Sequence, residues 1–199
     1  IAFSVIASDI AVSREKSPDG WTRELYVCIA VNEPDFWSSQ KVILEKQLRF
    51  LTTDIWTLEF VEGGMLPFVP HKHKQVRPRE DCICLLSGGL DSLIGAVDLT
   101  TVGKKPYLVS QIFKGDKAKQ EYFAQIIAGG LKQLRLNYGV DCPWKNEVPQ
   151  RARSIIFLAY GVIMATSLSI YDEGQTVPLY VCENGFISIN PPLTTGRIG

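Results

Sequence analysis

The chain is short of histidine, carries no excess charge of either sign and has no long hydrophobic run. Each shortage excludes something. Only His71 and His73 could serve a Ser-His-Asp hydrolase, and both lie in a basic stretch away from any nucleophile elbow. The same His71-Lys72-His73 run makes a poor metal site, because a third ligand is missing nearby and the lysines repel a cation. The 21 basic and 21 acidic residues cancel, so no whole-chain field draws the protein onto nucleic acid or an anionic membrane, and neither is expected as a partner. The longest apolar stretch, residues 155–165, is shorter than the ~20 residues a bilayer span needs. The five cysteines, Cys28, Cys82, Cys84, Cys142 and Cys182, are odd in number and contain no CxxC pair. That leaves zinc unsupported by the residues present and fits a reducing, cytoplasmic setting. Two common nucleotide signatures, GxxxxGK[ST] and GxGxxG, are missing as well.

What the chain does have is the make-up of a folded protein, 46% apolar and 21% charged. Residues 1–64 read as an α+β module. Phe3–Ser8 and Leu25–Val31 are β-rich runs either side of the turn cluster Ser17-Pro18-Asp19-Gly20, which predicts a hairpin. A helix is expected over Trp37–Thr53 and a half-buried strand over Ile55–Phe60. Residues 65–80 form a basic, proline-rich linker. From 81 to 199 the pattern becomes strand, helix, strand, helix, helix, strand. Its parts are Cys82–Leu86, Leu93–Val97, Tyr107–Ser110, Lys117–Tyr138, Arg153–Ile170 and Pro178–Cys182. This alternation predicts an α/β domain with a Rossmann-like parallel sheet. Ile1 is not an initiator methionine, and further residues are expected beyond one or both ends.

The sharpest feature is Ser87-Gly88-Gly89-Leu90-Asp91-Ser92, between the first buried strand and a helix start. Two glycines let the backbone turn tightly and bring consecutive N–H groups onto one concave side. The new helix points its positive end at the same spot. Ser87 and Ser92 add hydroxyls, and Asp91 could cap the helix or hold a metal ion that bridges phosphates. Such a loop suits pyrophosphate at the carboxyl end of a parallel strand.

These residues spell SGGxDS, the signature of the PP-loop ATP pyrophosphatases, which the chain resembles. Those proteins have an adenine nucleotide alpha hydrolase-like fold and cleave ATP between its α and β phosphates to activate a carboxyl or carbonyl oxygen. Over residues 80–199 the chain is similar, more narrowly, to the 7-cyano-7-deazaguanine synthase (QueC) family. The likeness rests on Arg151-Ala152-Arg153 opening an apolar helix, on Glu183-Asn184-Gly185, and on Asn190-Pro191-Pro192-Leu193-Thr194. The nearest branch is the QueC-like proteins of anti-phage operons of the Qat type.

The resemblance implies an AMP-forming ligase that adenylates 7-carboxy-7-deazaguanine and passes it to a nitrogen nucleophile, a partner protein of the same operon. It implies ATP contacts at Ser87, Gly88, Gly89, Leu90, Asp91, Ser92 and Ser110, with Mg2+ at Asp91. Catalytic roles fall to Asp91, Ser92 and Arg153. Arg151, Arg153, Phe157, Glu183, Asn184, Asn190 and Pro191 are assigned to the substrate.

Other readings stand beside these. Arg151 and Arg153 at a helix N-terminus, where the macrodipole disfavours cations, bind an anion or form a solvated helix start. Glu183-Asn184-Gly185 is a substrate contact or a plain turn, and Lys114–Lys119 is a loop over the site or a surface charge run. For the whole chain, the alternatives are a catalytically silent nucleotide-binding scaffold of a defence complex, an authentic synthase of queuosine biosynthesis, and another PP-loop chemistry such as tRNA thiolation.

Overall fold

A computed structural model describes residues 1–65, 77–112, 115–143, 147 and 151–183. The described residues fall into two compact units. One holds residues 1–65 together with the later stretch 140–156, and the other holds 77–139 and 157–183. Among the described residues the chain thus leaves the first unit, returns to it over 140–156 and enters the second again from 157.

The first unit contains α1 (Ala2–Ala11), β1 (Glu24–Val31), α2 (Pro34–Thr52) and β2 (Ile55–Glu62). α2 begins with Pro34 in its first turn, and Thr53 ends it in the left-handed region at φ 64°. β1 and β2 pair in parallel, from Glu24 opposite Ile55 to Val31 opposite Glu62. The two strands alternate strictly: Leu25, Val27, Ile29 and Val31 face inward with Trp56, Leu58 and Phe60.

The hairpin expected here is overturned. The run that includes Phe3–Ser8 is helical, because its inward residues Val5, Ile6, Asp9 and Ile10 share one helix face rather than alternating. Glu24–Val31 therefore finds its partner not in that run but in β2, across the α2 crossover.

The second unit contains β3 (Cys82–Leu85), α3 (Leu90–Thr101), β4 (Pro106–Gln111), α4 (Lys117–Ile126), β5 (Gln133–Leu136), α5 (Arg153–Ala165), α6 (Ser169–Asp172) and β6 (Leu179–Tyr180); α5 starts in the first unit and the division falls within it. The four strands form a wholly parallel sheet in the order β5-β4-β3-β6. Every residue of β3 is buried, as a strand covered on both faces must be. On one face Cys84, Leu86 and Leu108 pack with Ala96 and Leu99 of α3 and with Ala124 and Ile127. On the other, Gly161 of α5 comes so close that an added Cβ would lie 2.8 Å from Leu179 and 3.0 Å from Leu85.

Two predicted helices are cut short. Lys117–Tyr138 stops at Ile126, since Gly129 and Gly130 take positive φ, and the remainder turns into β5 at the sheet edge beside β4. Arg153–Ile170 breaks after Ala165 and resumes as the single turn of α6. The predicted strand Pro178–Cys182 pairs only over Leu179–Tyr180.

Candidate functional site

The chain runs from β3 to β4 to β5 on one side of the sheet, then returns to place β6 on the other side of β3. β3 therefore borders the point where strand order reverses. In open parallel sheets ligands bind beyond the carboxyl ends of the strands at such a point. Ser87-Gly88-Gly89 occupies that place, leading from β3 into α3.

Its backbone is shaped by local chemistry. Gly88 has φ +96°, which only glycine adopts readily, and a Cβ there would stand 3.3 Å from Cγ of Gln120. Gly89 caps α3 without a side chain. The Leu86 N–H extends the β3 ladder to the Val109 carbonyl at 2.8 Å. The Leu86 carbonyl accepts the Ser110 hydroxyl at 2.7 Å. The next carbonyl, of Ser87, accepts Nε2 of Gln120 at 2.9 Å.

In a trans peptide the C=O and N–H point opposite ways. With both carbonyls drawn toward β4 and α4, the N–H groups of Ser87 and Gly88 face the other side. Among the described residues, neither these two amides nor that of Leu90 meets a protein acceptor. Amides left without a protein acceptor at the start of a twelve-residue helix are groups that can receive an anion.

The hydroxyls are arranged too. Ser92 is buried, and its Oγ donates to the Gly89 carbonyl at 3.0 Å while accepting from Ser87 Oγ at 3.1 Å. Ser87 Oγ also receives the Gly89 N–H at 3.4 Å. Leu90 is exposed and Asp91 half-buried in the first turn of α3. Behind the loop, Gly95 leaves room for Cys182 just past β6, whose sulfur occupies the space a Cβ would take. Burial pushes the Cys82 thiol up to about 12 and raises Cys84 and Cys182 as well. Cys82 and Cys84 are buried and pack as small apolar groups.

The other expected site residues are distributed unevenly. Ser110 lies under the loop, buried, with its hydroxyl spent on the Leu86 carbonyl. Phe157 is half-buried in α5, and Glu183 is exposed after β6. Asn184, Asn190 and Pro191 lie outside the described residues, as do Lys114 and His71–His73.

Arg151 is in the first unit and 1% exposed. Its guanidinium donates to the Thr52 carbonyl at 3.1 Å and to Thr53 Oγ1 at 2.7 Å, and lies 4.3 Å from the ring centre of Trp21. Burial and the neighbouring Arg14 pull its pKa below the ordinary arginine value. Arg153 opens α5 in the same unit and is half-buried. Among the described residues no three His, Cys, Asp or Glu side chains gather as a metal-binding group.

Gln120 and Gln133 were not legible as site residues. The signal that could have flagged Gln120 is its place on the buried face of α4, in line with Ala124, where an apolar residue is expected. Comparison with family models, with curated proteins and with solved structures gives no match for this chain.

Proposed function

We propose that the chain is an ATP-dependent, AMP-forming C–N ligase of the QueC-like kind, with the Ser87–Ser92 turn as its PP-loop. The observation that carries the reading is the pair of loop carbonyls, Leu86 and Ser87, tied back by Ser110 and Gln120 so that the next amides stand ready for an anion. The amides of Ser87, Gly88 and Leu90 hold the pyrophosphate portion of ATP, and the hydroxyls of Ser87 and Ser92 re-aim their protons toward phosphate oxygens. Asp91 supplies a single carboxylate, the usual protein share of an Mg2+ site otherwise completed by phosphate and water. When bound, the ion neutralises charge on the phosphates. Catalysis at such a site is positioning and electrostatics: fixed amides meet charge that develops on phosphoryl oxygens without reorganising. The acceptor of the adenylated carboxylate is a nitrogen nucleophile, and the substrate class is a carboxylated deazaguanine, as the resemblance to the synthase family implies.

The test is release of AMP and pyrophosphate from ATP, with and without 7-carboxy-7-deazaguanine and a protein encoded beside this one. Pyrophosphate is expected only when ATP and the carboxylate are both present. ATP binding with no pyrophosphate under any of these conditions would leave the scaffold reading in its place.

A further inference from the structure

We propose that Gln120 is a positioning residue for the anion-binding loop, its side-chain amide fixing the Ser87 peptide so that the Gly88 N–H is aimed outward before any ligand arrives. The inference rests on the loop reading above. Gln120 is 0% exposed, and burying a primary amide in an apolar face is costly unless its hydrogen bonds are made. Its Nε2 makes two, to the Ser87 carbonyl at 2.9 Å and to the Gln111 carbonyl at 3.0 Å. One N–H thus holds the loop and the other holds the end of β4. The opposite amide orientation would set Oε1 against two carbonyl oxygens, so the side chain has one tenable placement. Oε1 itself meets no donor among the described residues, which marks the residue as placed for what it donates.

The amide is in turn held firmly. The Gln120 N–H binds the Asp116 carbonyl at 2.9 Å. Its own carbonyl accepts Nε2 of Gln133 at 3.2 Å, and the same Nε2 donates to Ser110 Oγ at 2.8 Å. Since Ser110 holds the Leu86 carbonyl, one connected network sets two successive loop peptides. Gly88 rests directly on Gln120, against whose Cγ a Cβ there would press at 3.3 Å. Preorganised amides bind an anion more tightly than amides that must first rotate, because the reorientation is settled in folding.

The experiment uses the full chain and Gln120→Met, which keeps length and burial but removes both donors. Inorganic pyrophosphate is titrated in by calorimetry, and the Gly88 and Gly89 amides are followed by 15N NMR. Binding is expected to weaken about tenfold, because the Gly88 N–H, one charge-assisted donor to the anion, is no longer held in place. The Gly88 resonance is expected to move even without ligand. An unchanged affinity and an unmoved Gly88 amide, with only a lowered melting temperature, would reduce Gln120 to a packing residue and overturn the proposal. If the unaltered chain fails to bind pyrophosphate, the loop reading falls separately, while the ligand-free Gly88 shift still decides what Gln120 does. Should Gln120→Met not fold, the unaltered protein gives the answer: the Gln120 side-chain amide protons are expected to exchange slowly, and exchange at the solvent rate would overturn the proposal.

Discussion

Both units are built from parallel strands joined by a helix, yet they hold together by different means. In the second, β3 is buried on both faces, and α3 and α5 approach the sheet so closely that Gly95 and Gly161 have no room for a side chain. Apolar contact supplies the cohesion, and the polar groups gather at the carboxyl edge, where the loop is. In the first, the two-stranded sheet is covered on one face only; Glu24, Tyr26, Cys28 and Ala30 with Ile55, Thr57 and Glu59 look outward. Beside its apolar inward face lies a buried network of charges. Asp54 takes a bidentate pair from Arg14 at 2.6 and 2.8 Å and a further bond from Arg23 at 2.6 Å. Arg23 also reaches Asp9 at 2.5 Å, and Asp9 accepts the Ala152 N–H at 2.9 Å. That last bond helps hold the returning stretch in the first unit. The first unit thus adds directional ionic bonds between α1, the β1 entry and the later segment to its apolar contacts, whereas the second is held by apolar packing on both faces of its sheet.

Three substitutions or conditions probe this contrast. The largest effect is expected from Asp54→Asn, which leaves Arg14 and Arg23 facing each other with one carboxylate fewer. Breaking a buried ion pair by removing one partner costs about 3–5 kcal/mol. Trp21, Trp37 and Trp56 all lie in the first unit, and the described residues of the second contain no tryptophan, so fluorescence-detected denaturation reads this loss where it occurs. A midpoint that does not move would show that the network adds nothing to stability.

Gly95→Ala is expected to cost about 1–3 kcal/mol, the range for forcing a methyl into a packed core, because Cys182 fills the space. A melt followed by far-UV circular dichroism checks it, and full tolerance would mean that α3 and the end of β6 are not in contact. The smallest effect is the acid response of the first unit. Burial pushes the Asp54 carboxyl up, but hydrogen bonds from Arg23 and Arg14 outweigh it and hold the group below the usual carboxylate range. A depressed folded pKa contributes stability that is present above the unfolded pKa of about 4 and is lost as pH falls through the folded value. The tryptophan transition is therefore expected to weaken progressively below about pH 4, and Asp54→Asn is expected to flatten that part of the profile.

Much of the second unit was legible in its sequence. Cys82–Leu86 announced a strand buried on both faces, and two glycines with a helical register after them announced the turn and α3. These signals are short in range. Other parts were not legible, for identifiable reasons. The short apolar run in α1 fits either period until β1 requires a cover for its inward face. Gly129-Gly130 weakens a helix on paper, but only the open edge of β4 turns the residues beyond it into a strand. Arg151 at a helix start invites an anion, and nothing in its neighbourhood of sequence announces the Thr52 carbonyl, the Thr53 hydroxyl and the Trp21 ring that meet its guanidinium.

By itself the sequence determined the order of elements around β3 and the composition of the loop, because glycine freedom and helix initiation depend on residues a few places apart. Only the tertiary structure decided which way the loop amides face. That direction depends on where Ser110 and Gln120, 24 and 33 residues from the carbonyls they hold, come to rest when β4 and α4 pack beside β3.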